Sequence, residues 1–212
     1  MRKLRIALTK GRLEKQTVSL FQKMGLDCTQ LENKGRRLIL PVGTEYEAVL
    51  AKAADVITYV EHGVCDIGIV GKDTIVENGK SFYEVCDLGL GKCNFCLAGK
   101  VGKDFYSGYK VKRVATKYPN VTKAFFESKG MDVKIIKIEG SVELAPLLDL
   151  SDAIVDIVET GTTLRENGLE VYETILPISA RVIVNTAGMK LRRAEIDAFL
   201  AKIEQAKQEA VQ

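Results

Sequence analysis

The densest run of residues able to do chemistry lies between Asp152 and Leu164, where Asp-Ala-Ile-Val-Asp-Ile-Val-Glu-Thr-Gly-Thr-Thr-Leu carries an apolar strand into a tight polar turn. Thr160, Gly161, Thr162 and Thr163 follow Glu159 directly, and a helix-compatible stretch comes next. Backbone N–H groups converging on such a turn, with the positive end of a helix dipole behind them, form a cradle for a phosphate. Gly161 keeps a Cβ out of the approach path, and the threonine hydroxyls add donors. Asp152 and Asp156 stand four residues apart, so a strand directs both to one face. Carboxylates beside a phosphate cradle suit a ribose, whose hydroxyls need acceptors, or a hydrated Mg²⁺. The plainer reading of the same turn is a βα connection capped by a threonine. No Gly-Lys-Ser/Thr follows, so it is not a Walker loop.

Two further loops have the same placement. Thr9-Lys10-Gly11-Arg12 sets two cations around a glycine between a strand and a helix, where a phosphate could bind at a helix start. Gly71-Lys72-Asp73 follows the run Ile67-Gly68-Ile69-Val70 in an equivalent position. Solvated surface charge accounts for either loop alone. Three polar, glycine-bearing loops at strand ends argue more strongly together than any one does.

The elements that must position these loops alternate. Strands are expected at Leu4–Leu8, Asp66–Val70, Val111–Ala115, Val133–Ile138, Ala153–Val158 and Arg181–Val184. Helices are expected from the Gly11 turn to about Met24, over Ala48–Tyr59, near Val121–Ser128 and over Val142–Leu148. Alternating β and α implies parallel sheet, with the loops after the strands along one ligand-binding edge. The alternation stumbles at Leu88-Gly89-Leu90-Gly91, where strand-like Tyr83–Leu88 runs on into Asn94–Ala98 with no room for a crossover helix. A long strand there carries the chain into a second sheet. The expected division is therefore residues 1–88 with 178–212 as one discontinuous lobe, and 89–177 as the other. From Leu191 the tail reads as helix, with Ile196, Phe199, Leu200 and Ile203 on one stripe. The stripe suits packing on its own lobe or a contact with a second subunit.

Composition bounds the function. The 212 residues are 46% hydrophobic and 28% charged with no Trp, as in ordinary α/β proteins, and the net charge of +3 is spread along the chain. That spread argues against a nucleic-acid binder, which gathers its Lys and Arg on one face. The apolar part of the first eight residues is too short for a signal peptide, and no run approaches the roughly 20 apolar residues of a membrane span. A cytoplasmic protein is expected. Five cysteines, an odd number, are expected to be reduced. Cys93 and Cys96 form a C-x-x-C pair on a strand, and His62, the only histidine, stands alone, so neither zinc nor redox chemistry is supported.

At these residues the sequence resembles the ATP phosphoribosyltransferase family. The resemblance rests on Thr9-Lys10-Gly11-Arg12-Leu13, Asp66 to Asp73, Arg113-Val114-Ala115-Thr116-Lys117-Tyr118-Pro119, Glu139-Gly140-Ser141-Val142-Glu143 and Asp152 to Leu164, in the family's order across nearly the whole chain. It implies a two-lobed α/β fold like type II periplasmic binding proteins, with the active site in the cleft between lobes. It also implies displacement of pyrophosphate from C1 of phosphoribosyl pyrophosphate by N1 of ATP, the first step of histidine biosynthesis, with Mg²⁺ bound through the substrate phosphates and no metal ligand assigned on the protein. By carry-over, Glu159, Thr160, Gly161, Thr162 and Thr163 hold the 5-phosphate, and the catalytic carboxylates Asp156 and Asp152 face the ribose. Lys10, Gly11, Arg12, Gly71 and Asp73 fall on the nucleotide side. Glu139 and Glu143 are grouped with them, on a cleft loop and without individual roles. A chain stopping at Gln212 resembles the short form, expected to be a homodimer that associates with a regulatory subunit resembling histidyl-tRNA synthetase. A two-lobed solute-binding module, an effector-binding domain and a phosphoribosyltransferase for a free base are the competing readings. The absent signal peptide, the absent helix-turn-helix segment and the two basic loops, respectively, count against them.

Overall fold

In the computed structural model, which describes residues 2–79 and 81–209, alternating strands and helices account for most of the chain. In order they are β1 (Leu4–Thr9), α1 (Arg12–Lys23), α2 (Thr29–Glu32), β2 (Ile39–Val42), β3 (Tyr46–Ala51), α3 (Ala53–Glu61), β4 (Ile67–Gly71), α4 (Lys72–Asn78) and β5 (Phe82–Asp87). There follow β6 (Cys93–Lys100), β7 (Lys112–Thr116), α5 (Pro119–Ser128), β8 (Val133–Lys137), α6 (Leu144–Leu147), β9 (Ala153–Val158), α7 (Thr162–Glu166) and β10 (Leu169–Ile178). The chain closes with β11 (Ala180–Asn185), α8 (Thr186–Leu191) and α9 (Arg193–Glu209). Met1 and the end of the expected helical tail, residues 210–212, lie outside the described residues. The chain divides into two units, Met1–Gly91 with Ser179–Gln212, and Lys92–Ile178.

The first unit holds a six-stranded sheet in the order β2-β3-β1-β4-β11-β5. β1 runs parallel to β3 and β4, while β2, β11 and β5 enter antiparallel. Strand alternation sorts the side chains by face. Leu4, Ile6 and Leu8 join Phe21, Ile196, Phe199 and Ile203 on one side of the sheet, and Ala7 joins Val56, Ile57 and Val60 on the other. The α9 stripe is therefore core of its own unit: Phe199 is fully buried, edge-on to Phe21 and Tyr46. Of the two readings of that stripe, packing on its own unit is the one that Ile196, Phe199 and Ile203 follow, with Leu200 partly buried beside them. Asp66, just before β4, is buried but satisfied, since Arg2 donates two bonds of 2.9 Å, the Arg5 amide one of 2.9 Å and Arg192 one of 3.0 Å.

The second unit holds five strands in the order β10-β6-β9-β7-β8. β7 is parallel to β8 and β9, and β6 is antiparallel to β9 and β10. Phe95, Val114, Phe126 and Val155 pack on one face, with Ala98, Val142, Ile154 and Leu164 on the other.

Three expected elements change. The helix expected over Ala48–Tyr59 is β3 followed by α3: good helix formers at 47–51 are overridden because Tyr46, Ala48 and Leu50 alternate into the core alongside β1. The helix expected over Val142–Leu148 is the four-residue α6, which has Pro146 inside it. The expected long strand through residue 88 is two strands in different sheets, β5 and β6, separated by Leu88–Lys92. Cys93 and Cys96, three apart on β6, fall on opposite strand faces. All five cysteines are free thiols, and burial pushes Cys28, Cys65 and Cys86 up to about 11.

Candidate functional site

In the second unit the parallel strands β7, β8 and β9 end at Thr116, Lys137 and Val158, so the loops that follow them leave one edge of the sheet. That is the edge where open parallel sheets take ligands. Glu143, Asp156 and the whole turn Glu159–Thr163 line one cavity of about 210 Å³ there. Asp156 shares its strand face with the buried Ile154 and comes from the last turn-ward half of β9. Glu143 comes from the start of α6. The floor is apolar: Val142, Ala145, Leu164 and the partly buried Val158 pack together below the turn.

The turn itself is left-handed at Gly161, with φ 70° and ψ 8°. A Cβ added there would sit 3.1 Å from the Arg165 Nη1 and strain the backbone as well. The Thr160 and Thr162 hydroxyls are 3.0 Å apart, and the Thr162 amide donates to the Thr160 Oγ1 at 3.4 Å. Two hydroxyls carry two protons. One bridges the pair, and the other is not used in that bond. The first amides of α7, at Thr162, Thr163 and Leu164, precede any intrahelical carbonyl partner. Gly161 rather than a threonine stands at the cap of α7, and no side-chain cap is made. Because α7 has only five residues, its dipole adds little, contrary to the sequence expectation.

Not every expected residue reaches this cavity. Asp152 precedes β9, whose six residues span about 20 Å, so it stands at the far end of the strand from the turn. There its carboxylate accepts the Arg113 amide proton at 2.7 Å, its own amide donates to the Arg113 carbonyl at 2.8 Å, and Arg113 Nε lies 3.6 Å away. Sharing a strand face with Asp156 is not sharing a site, and Asp152 is a strand-pairing residue. Glu139 is exposed and paired with Lys137 at 2.9 Å, whose hydrogen bond and charge hold its carboxyl below the usual range. It does not line the cavity of the turn.

In the first unit, Lys10, Gly11 and Arg12 leave the end of β1, and Gly71 and Asp73 leave the end of the parallel neighbour β4. The two loops are tied together: the Thr9 hydroxyl donates to the Ile69 carbonyl at 3.0 Å. The Lys10 amide reaches the Ala51 carbonyl at 2.9 Å, and the Lys72 amide reaches Ser179 at 2.9 Å. Gly11 has φ 101° and ψ −137°, a conformation kept essentially to glycine. Its amide donates to the Glu14 carboxylate at 3.4 Å, and Glu14 is buried and paired with Lys34. Lys10 and Arg12 are exposed. A Cβ on Gly71 would fall 2.0 Å from the Asp73 Oδ1, so that carboxylate would have to turn away.

Sequence reasoning did not reach Arg165. Its spacing carried the signal, because a helical residue four positions after Gly161 lays its side chain back over the preceding turn.

A threonine-glycine turn at the carboxyl ends of the parallel strands β7, β8 and β9, with an aspartate on the strand that enters it, defines an α/β protein with a polar cavity at a sheet edge. The comparisons give the class a family. The HisG family, described as ATP phosphoribosyltransferase, matches residues 52–205. The ATP phosphoribosyltransferase of Clostridium kluyveri is 59% identical over 204 residues, covering 96% of this chain and 93% of that protein. That of Bacillus cereus (strain G9842) is 56% identical over 206 residues, 97% of each. Among solved structures, a chain of the ATP phosphoribosyl transferase (HisG:HisZ) complex from Thermotoga maritima superposes with a TM-score of 0.84 at 36% identity, over 97% of this chain and 99% of that one. The periplasmic aliphatic sulphonate binding protein SsuA from Escherichia coli gives 0.60 at 12% identity, over 98% of this chain and 73% of that one, which is a likeness of fold alone. The chain belongs to the ATP phosphoribosyltransferase family, pentosyltransferases of the first step of histidine biosynthesis, and its fold is of the type II periplasmic-binding-protein kind. No helix among the described residues is long and apolar enough to cross a membrane.

Proposed function

We propose that this chain transfers the phosphoribosyl group of phosphoribosyl pyrophosphate to N1 of the ATP adenine. The observation that carries the reading is the grouping of Asp156, Glu143 and the Glu159–Thr163 turn around one cavity in a chain of this family. The turn takes the 5-phosphate through its amides and one free hydroxyl proton. The N1 lone pair forms the new bond to C1 as the C1–O bond breaks, and those bonding electrons leave with pyrophosphate. Positive charge grows on the ribose ring during that exchange, and the Asp156 carboxylate stabilises it from the β9 side. Glu143 lines the sugar side of the cavity, which favours a contact with ribose hydroxyls over the nucleotide role its motif suggests. Lys10, Gly11, Arg12, Gly71 and Asp73, with Glu139 grouped by motif, remain the nucleotide-side residues. Adenine N1 is already nucleophilic, so no activated serine or cysteine is required.

Among the described residues no group of three or more His, Cys, Asp or Glu side chains is arranged to hold a metal ion. Mg²⁺ would arrive on the substrate diphosphate, and the carboxylates of Asp156 and Glu143, which line the cavity, are the oxygen groups that could face it there. When bound it supplies charge neutralisation for the leaving pyrophosphate. The likeness to a chain of the HisG:HisZ complex of Thermotoga maritima favours a HisZ-type regulatory partner for this chain too, and a homodimer is the expected core of that assembly.

The test is pyrophosphate release from phosphoribosyl pyrophosphate and Mg²⁺, with ATP present or absent and with or without a HisZ-type subunit. Release that depends on ATP, and rises with the partner, is the expected result. Release with a free base in place of ATP would overturn the choice of acceptor.

A further inference from the structure

Arg165 leaves the last turn of α7 and folds back over the threonine turn. Its Nη1 donates to the Thr160 carbonyl at 2.9 Å and its Nη2 to the Thr162 Oγ1 at 3.2 Å. The same guanidinium lies where a Cβ on residue 161 would come to 3.1 Å, so the left-handed glycine and the arginine occupy one packed feature. Two consequences follow from the geometry. The fork pins the first and third residues of the turn, fixing where the amides between them point. It also fills a lone pair of the Thr162 hydroxyl with a cationic donor, which makes that hydroxyl a stronger donor in turn. A five-residue helix lacks the dipole to hold a dianion, and a formal positive charge one turn away replaces it.

We propose that Arg165 is a positioning residue of the sugar-phosphate cradle: it acts on the 5-phosphate through Thr160 and Thr162 and sets the affinity for that phosphate. The inference rests on reading Glu159–Thr163 as the 5-phosphate loop, and the test separates the two.

Calorimetry on the full chain with Mg²⁺ measures binding of ribose 5-phosphate, phosphoribosyl pyrophosphate and ATP to wild type, Arg165→Met, Arg165→Lys and Gly161→Ala. Arg165→Met should weaken both sugar phosphates by roughly tenfold, the size of one charge-assisted hydrogen bond. ATP binding should stay within about twofold, and because the side chain is exposed the melting temperature should move by no more than about 2 °C. Arg165→Lys keeps the charge but cannot reach two acceptors as a fork, so it should recover only part of the loss. Unchanged sugar-phosphate affinity in Arg165→Met, with Gly161→Ala weakened, overturns the role of Arg165 and leaves the loop standing. Unchanged affinity in both variants overturns the loop reading itself. Loss of ATP affinity in step with ribose 5-phosphate, or a large fall in melting temperature, shows a general structural role and also overturns the inference.

Discussion

The turns at Gly11 and Gly161 share one local grammar, in which a buried strand runs into a glycine of positive φ and then a helix, yet they are closed by side chains of opposite charge. At Gly11 the amide at the start of α1 is taken by the buried Glu14 carboxylate. A carboxylate there satisfies the helix start and repels a second anion. At Gly161 the closing group is the Arg165 guanidinium, which occupies a carbonyl and a hydroxyl and takes up no amide of the turn. Strand, glycine and helix thus do not by themselves make a phosphate site. What matters is which polar groups the closing side chain consumes. At the first turn the groups offered to a polyanion are the exposed Lys10 and Arg12 side chains, whereas at the second they are those of the turn's own backbone and hydroxyls.

The largest effect should come at the strand that enters the second turn. Asp156→Asn should lower kcat by about 10²-fold or more, the usual cost of removing a group aimed at developing charge. Asp152→Asn should keep kcat within about threefold, because its partners are the Arg113 amide and guanidinium. Steady-state rates of the two variants decide this, and equal losses would return Asp152 to the site.

Next in size is the glycine pair. Gly161→Ala should weaken ribose 5-phosphate by roughly tenfold, since a left-handed non-glycine residue costs about 1–2 kcal/mol and its Cβ pushes on Arg165. Gly11→Ala should instead lower stability, with ribose 5-phosphate affinity unchanged. Titration calorimetry beside thermal melting separates the two signatures.

Glu14→Gln sharpens the contrast further. It leaves Lys34 without its buried partner and weakens the closure of α1, so the melting temperature should fall by several degrees, equivalent to about 1–3 kcal/mol. Sugar-phosphate affinity should not change.

The smallest effect concerns the second unit away from its turn. Glu173 accepts from the Lys129 Nζ at 2.8 Å and the Tyr106 hydroxyl at 2.6 Å, which hold its carboxyl below its ordinary 4.5. A depressed carboxyl stabilises the fold above its unfolded value and loses that contribution as pH falls through the folded one. Stability should therefore decline below about pH 4.5, and Glu173→Gln should flatten that acid limb by less than about 1 kcal/mol in denaturation curves, because the pair is a third exposed.

The parts of this molecule legible in its sequence are those where local pattern and tertiary demand agree. β1, β4 and β9 are short apolar runs bounded by polar turns, and they occur within a residue of where the pattern puts them. The fold class follows from their alternation with helices. β3 was hidden because Glu47, Ala48 and Leu50 favour helix until pairing with β1 overrides them. β10 was hidden because two register shifts against β6 break its period of two, with Glu170 and Glu173 among its apolar residues. In the site, the Glu159–Thr163 turn was legible because glycine and hydroxyls announce it. The separation of Asp152 from it was not, because a four-residue spacing reports a face of a strand and says nothing of distance along it. Arg165 was legible only as a spacing, four residues after Gly161, that lays a helical side chain back over the turn. Its contact depends on a backbone that turns left-handed at residue 161 before the helix begins.

The central claim is that the second turn, and not the first, holds the sugar phosphate. Its most direct test is a crystal structure of the chain with phosphoribosyl pyrophosphate and Mg²⁺. The account predicts 5-phosphate oxygens about 3 Å from amides of the Thr160–Thr163 turn and from one threonine hydroxyl. A 5-phosphate seated against Lys10 and Arg12, with the Thr160–Thr163 turn empty, would contradict it.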